Sequence, residues 1–235
     1  MTSYFVGFDV AQASDFSAIS VIHTGIVSPY YRLRHLERLP RHTSYPEQVR
    51  QVVDLCDHIG RKYGSLPLLA VDFTGVGAPV FDMLRTSYHG VTKGVTITGG
   101  SQVSISDDGR VHRIPKLSLV SRLRVGLESG HLKICREINE VDTLVDELGN
   151  FELRVSESGT VTMEAAGSGH DDLVLSLCIA LWFAHEGGAR YGDQQFVNPL
   201  IRTGRPPELH RAIPVWKTQK KPAFPIPFPT GEDFM

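Results

Sequence analysis

Residues 68–81 read LLAVDFTGVGAPVF. The apolar run 68–71 delivers a single acid, Asp72, into a Gly-rich turn, and Pro79 then opens a short helix over residues 79–85. A continuous apolar run of this length fits a strand buried on both faces. An acid at the exit of such a strand is not a packing residue. It either caps the turn that follows, as Asp often does, or stands there for its chemistry. Two more acidic positions in comparable settings weigh toward chemistry. Asp9 ends the apolar run 4–8, and Asp171 and Asp172 open an almost wholly apolar segment, 173–185.

Toward the N-terminus, residues 4–8, 18–23 and 31–39 carry strand patterns and form an antiparallel meander. Ser44-Tyr-Pro-Glu47 then reads as a helix start, with Ser44 as N-cap and Glu47 at the capping-box position. Val49, Val52, Val53, Cys56 and Ile59 recur at helical spacing up to Gly64. A helix between the third and fourth strands implies a crossover connection and a mixed sheet.

Toward the C-terminus, residues 95–98 form a fifth strand. Residues 102–106 and 110–114 flank Asp107-Asp108-Gly109, a hairpin signal. Pro115 starts a helix with Leu117, Val120, Leu123 and Leu127 on one face, closed by Gly130. A short strand at 131–134, a helix at 141–148 and a second hairpin at 151–155 and 160–165 follow. The segment 173–185, apolar all round, reads as a buried helix. Residues 187–235 hold eight of the 14 prolines and little periodicity. The expected organisation is one α/β domain over residues 1–188 and a Pro-rich, extended or partly disordered tail over 189–235.

The bulk composition narrows the function classes. With a net charge of −2, the 235-residue chain has no global basic field, so nucleic-acid binding would need a local basic surface. Cys56, Cys135 and Cys178 are scattered and set among apolar residues, as expected of reduced thiols in an intracellular protein. The start, MTSYFVGFDV, has no signal-peptide pattern, and no uncharged apolar run reaches the ~20 residues needed to span a bilayer.

The acids make a geometric case. If the strands ending at Asp9 and Asp72 are parallel neighbours, their carboxylates come within several ångströms, at a strand spacing of ~4.8 Å. A helix packed over that end supplies a third acid from Asp171 or Asp172. Clustered carboxylates raise one another's pKa unless a cation neutralises them. Oxygen-only ligation of this kind suits Mg²⁺ or Mn²⁺ rather than zinc. Two such ions, about 4 Å apart, would activate a water and stabilise the leaving oxygen of a phosphodiester. The competing readings are a turn residue at Asp9 and a simple N-cap at Asp171.

Three segments in order, VGFDVAQASDFSAISVI, LAVDFTGVGAPVFDML and GSGHDDLVLSLCIALW, resemble the nuclease domain of tailed-phage and prophage terminase large subunits. VTITGG and IPKLSLVSRLRVGLESGHLKI, between the second and third, fit as well, so the resemblance runs over residues 5–182. It implies an RNase H/RuvC-like fold: a mixed central sheet flanked by helices, with an added β-hairpin. It also implies Mg²⁺- or Mn²⁺-dependent endonuclease activity on double-stranded DNA, here concatemeric phage genomes, in the host cytoplasm. Asp9, Asp72 and Asp172 take the catalytic positions, Asp172 being favoured over Asp171. Asp9, Asp72, Asp171, Asp172 and Asp15 are the metal-ligand candidates. An ATPase domain or subunit, a small terminase subunit and a portal are the implied partners. Large subunits of this type usually carry a Walker A loop. This chain has no GxxxxGK[ST], so the resemblance implies DNA cutting rather than pumping for these residues.

Arg110, His112, Arg113, Lys116, Arg122 and Arg124 offer a local basic face. Of these, Arg110, Arg113, Lys116 and Arg122 are the expected DNA contacts. Contacts to phosphates position a duplex without reading bases. His170 is expected to steady the Asp pair by hydrogen bonding, or to assist proton transfer. Gly75 and Gly77 are expected to keep bulk away from DNA and metal. Three other readings compete: a RuvC-like junction-resolving nuclease, an actin- or sugar-kinase-type phosphotransfer domain, and a catalytically silent assembly module. The kinase class needs two lobes, for which the chain is short.

Overall fold

A computed structural model describes residues 3–11, 15–25, 30–75, 77–155, 161–165 and 170–189, with the backbone alone over 151–155, 161–165 and 188–189. The expected tail, apart from its first residue, lies outside the described residues. In chain order the elements are β1 (Ser3–Asp9), β2 (Ala18–Thr24), β3 (Tyr31–Arg38), α1 (Tyr45–Tyr63), β4 (Leu68–Asp72), α2 (Gly77–Ser87), β5 (Thr92–Thr98), β6 (Ser104–Ile105) and β7 (Val111–Pro115). There follow α3 (Lys116–Glu128), β8 (Leu132–Ile134), α4 (Val141–Gly149), β9 (Phe151–Val155), β10 (Val161–Ala165) and α5 (Asp172–Ala189).

The central sheet runs β6-β7-β5-β4-β1-β2-β3-β8. β1, β2 and β3 form the expected antiparallel meander, and β4 pairs parallel with β1 after the α1 crossover. β5 and β7 extend the parallel half, and β9 and β10 form a separate two-stranded ribbon. This is the expected mixed sheet flanked by helices.

Side-chain alternation sorts the core into two layers. Tyr4, Val6 and Phe8 of β1, with Leu69 and Val71 of β4, pack against Val52, Cys56 and Ile59 of α1 and Val80, Phe81 and Leu84 of α2. Phe5 and Ala70 face the other way, into a core shared with α3, α4 and α5. The helix α5 is apolar all round because β1 and β2 lie beneath it while α3 and α4 pack beside it. Among the described residues no helix is long and apolar enough to cross a membrane.

Local details depart from the sequence reading in physically explicable ways. Helix α2 starts at Gly77, two residues before Pro79. Ser44 is the N-cap residue of α1 but makes no side-chain cap bond; Glu47 instead accepts from Arg50 at 2.6 Å and Gln51 at 2.8 Å. The capping box gives way to pairs one turn along the same helix face. In α3 the buried residues are Leu119, Val120, Ser121, Leu123 and Gly126, with Leu127 packed against the same core, while Leu117 is exposed. Three of the four residues of the expected face thus pack inward, and contact with α5 and β8 buries Leu119 in place of Leu117.

Candidate active site

The site is built where β1 and β4 end. These strands are parallel and in register, with Phe8 beside Val71, so Asp9 and Asp72 leave the sheet side by side. By alternation both belong to the face that packs on α5. Gly7, one turn of the pleat below Asp9, lets that helix press against the strand: a Cβ there would lie 2.1 Å from the Ser176 carbonyl oxygen and 2.6 Å from the Ala180 nitrogen. The hydroxyls of Ser20 on β2 and Ser176 on α5 add a buried 2.7 Å hydrogen bond. The helix is thereby fixed with its N-terminus, and Asp171 and Asp172, over the strand ends. On the β4 side, Gly75 adopts a left-handed φ of 60° and Gly77 abuts the Asp72 carbonyl, where a Cβ would sit 1.8 Å from the oxygen. These glycines shape the turn around Asp72 itself.

Charge dominates the chemistry of this corner. Burial, then the neighbouring charges of Asp72, Asp172 and Asp171, raise the Asp9 carboxyl well above its ordinary range, with Lys116 pulling it down. Asp72 is also raised, by burial, against hydrogen bonds from Thr74 and from the Asp9 carboxyl. The Thr74 N–H donates to Asp72 Oδ1 at 2.8 Å. Asp172 is pushed up to about 6, by burial first, with Arg38 pulling down. Its Oδ2 is buried and accepts no hydrogen bond among the described residues; its ionic contact is Arg38 Nη2 at 3.2 Å. Asp171 is paired instead with Lys116 at 2.8 Å.

Two charged neighbours escaped the sequence reading. Arg38, at the end of β3, forms a short ion pair with Glu147 of α4 as well as contacting Asp172. Glu147 Oε2 accepts the Val174 N–H at 3.1 Å, so α4 caps the start of α5 from outside. Burial pushes the Glu147 carboxyl up to about 7 against those two partners. The signal for Arg38 lay in its position at the end of the third strand, level with Ala18 and Asp9 across the sheet. For Glu147 there was none, because the pairing spans 109 residues.

Asp15 and His170 form a second part of the corner. His170 Nδ1 lies 3.0 Å from Asp15 Oδ1, and Asp15, His170 and Asp172 can present ligand atoms all within 4.8 Å of one another. Buried carboxylates held above their ordinary pKa, an Asp172 oxygen that accepts no hydrogen bond among the described residues, and an adjoining Asp–His pair fit a divalent cation. The basic candidates are spread more widely. Lys116 reaches the acids, and Arg113 is exposed on β7 just before it. Arg110 sits at the hairpin turn, 3.7 Å from Asp108. Arg122 lies 4.2 Å over the Trp182 ring and 3.4 Å from Glu186, joining α3 to α5. Trp182 is about 15 Å along the helix from Asp172 at 1.5 Å per residue.

No family model matches the chain. It is similar to the large terminase subunit of Thermus phage G20c, 29% identical over 190 residues, covering 80% of this chain and 33% of that protein. The figures are the same for the large terminase subunit of Thermus virus P23-45. The chain thus spans about a third of the length of the curated relatives it matches. Among solved structures it resembles the large terminase nuclease of phage G20c with bound magnesium, at TM-score 0.56 and 26% identity, over 77% of this chain and 81% of that one. The human cytomegalovirus terminase nuclease domain shares the fold at TM-score 0.53 and 10% identity, over 81% of this chain and 87% of that one. The homologues of this chain are large terminase subunits, and its fold is that of their RNase H-like nuclease domains.

Proposed function

We propose that this chain is the nuclease module of a phage-type large terminase, a metal-dependent endonuclease that hydrolyses double-stranded DNA with little sequence preference. The observation that carries the reading is the convergence of Asp9, Asp72 and the Asp171–Asp172 pair from three separate elements onto one sheet end. Asp9, Asp72 and Asp172 would hold Mg²⁺ or Mn²⁺, two ions in all, with Asp171 and Asp15 as further ligands. Support comes from the oxygen-rich donor set and from the G20c nuclease, which has been solved with magnesium and with cobalt. Bound there, the ions supply Lewis acidity for attack of water on a phosphodiester and for departure of the 3′ or 5′ oxygen.

The chain's own residues set the charge and the geometry. Asp9 and Asp72, side by side at the ends of β1 and β4, would both serve as carboxylate ligands, a cation offsetting the repulsion and burial that raise their pKa values. Arg38 and Lys116 hold Asp172 and Asp171 in place from opposite sides of the helix start. Arg113, Lys116 and Arg110 would position phosphates along the β7 side. Arg122, joined to Trp182 and Glu186, would act at most at the periphery of that track. Such contacts read no bases. In the host cytoplasm this module would work with a motor ATPase, a small terminase subunit and a portal, cutting genome concatemers during packaging.

Cleavage of linear, supercoiled and four-way-junction DNA in Mg²⁺, Mn²⁺ or EDTA tests the reading. Both duplex forms are expected to be cut with either metal and left intact in EDTA. A strong preference for the junction would favour a resolvase in its place.

A further inference from the structure

The turn after β3 places a further cation near the acids, in addition to Lys116 and Arg38 and on the β3 side. Pro40–Thr43 closes as a tight turn, the Thr43 N–H donating to the Pro40 carbonyl at 3.3 Å and its hydroxyl at 2.6 Å. His42 holds a left-handed φ of 65° in this turn. Arg41, at the apex, is exposed, yet its guanidinium is not loose. It lies 4.3 Å from the centroid of the Phe16 ring, and its Nη2 is 3.2 Å from His170 Nε2.

An arginine only donates, so Nε2 of His170 accepts and the imidazole proton sits on Nδ1, facing Asp15 at 3.0 Å. The Phe16 N–H donates to the same Asp15 oxygen at 2.9 Å, and the His170 ring meets the Phe16 ring edge-on at 5.5 Å. Arg41, His170, Asp15 and Phe16 thus form one interlocked group that ends at Asp172. A guanidinium stacked on an aromatic ring is held in orientation while its other donors still point outward.

The sheet order gives this a direction. Lys116 and Arg113 follow and belong to β7, Asp72 and Asp9 end β4 and β1, and Arg41 follows β3. Lys116 and Arg41 reach neighbouring residues at the entrance to α5, Asp171 at 2.8 Å and His170 at 3.2 Å, the first from the β7 side and the second from the β3 side. The acids thus have a cation on each flank.

We infer that Arg41 is a DNA-phosphate-binding residue, preset by Phe16 and His170, that holds the backbone on the far flank of the cleavage site from Lys116. The inference rests on the nuclease reading above and adds the path of the substrate: across the strand ends, from the β7–α3 corner to the β3–α1 turn.

The test measures affinity of the full-length protein for a short fluorescein-labelled DNA duplex against salt concentration, in Mg²⁺, with Asp9→Asn present so that the duplex stays intact. Adding Arg41→Ala is expected to weaken binding equally for unrelated sequences and to reduce the slope of log affinity against log salt by about 0.9, the loss of one phosphate contact. Arg41→Lys is expected to keep the slope. An unchanged slope in Arg41→Ala would overturn the contact, and so would an equal loss in Arg41→Lys, which would mark a role in holding His170. Cleavage of plasmid by the otherwise native protein is measured alongside. Cleavage with an unchanged Arg41→Ala slope defeats this inference alone, whereas neither cleavage nor binding defeats both readings.

Discussion

Among single residues, the site is a problem of unbalanced negative charge. Asp172 has its pKa pushed up to about 6 from an ordinary 3.8, and Glu147 to about 7 from 4.5, both chiefly by burial. Because the folded-state values lie above the unfolded ones, these groups favour the native state fully below the unfolded values. That contribution is lost as pH rises through the folded ones. A bound divalent cation reverses the sign for its ligands, since it requires the carboxylates ionised. The increase in melting temperature on adding Mg²⁺ or Mn²⁺ is therefore expected to be small near pH 5 and larger near pH 7, on either side of the Asp172 value of about 6. Thermal unfolding with and without metal measures this. A shift of equal size at both pH values would contradict the ligand role of the raised carboxylates. The sequence made Asp9, Asp72 and the Asp171–Asp172 pair legible because strand ends and a helix start are local patterns. Arg38 and Glu147 were missed. Arg38 had a positional signal at the end of the third strand, but an arginine on an alternating strand reads as a solvated face, and the meaning of Glu147 is a contact across the fold.

For the elements, the decisive contact is α5 on β1. Its closeness depends on Gly7, which a sequence reading passes over as one small residue in an apolar strand. Gly7→Ala would drive a methyl group to 2.1 Å from the Ser176 carbonyl, backbone that cannot swing aside. The expected cost is about 1–3 kcal/mol or more, as for other overpacked cores. The helix start would move with it, so cleavage is expected to fall as well. Urea denaturation gives the first quantity and plasmid nicking the second; a variant as stable and active as the native protein would show that α5 is not fixed in this way. The boundaries of β1, β4, α1 and α4 were readable to within about two residues, because apolar runs and periodicity are local. The buried face of α3 was readable in part. Val120, Leu123 and Leu127 of the helical stripe pack inward, but Leu117 is exposed, and Leu119 and Gly126 are buried in its stead.

For the whole molecule, the sheet order matters more than the bulk charge. A net charge of −2 gives no general attraction to DNA. On the proposed nuclease reading, DNA would be held by cations at the strand ends, Arg113 and Lys116 on the β7 side and Arg41 after β3. The mixed topology was legible from a helix lying between the third and fourth strands. The placing of β5 and β7 beyond β4 was not, since a hairpin signal at Asp107–Gly109 does not say which strand it joins. Metal-dependent cleavage of supercoiled plasmid by Asp9→Asn and Asp72→Asn, beside the native protein and with circular dichroism melting as the check on folding, decides whether the two strand-end acids form a metal site. Each variant is expected to melt at or above the native temperature in EDTA, because it removes a carboxyl whose ionised form burial disfavours, and to lose roughly 100-fold or more in cleavage. Native-level cleavage by either folded variant would contradict a metal site built on the ends of β1 and β4.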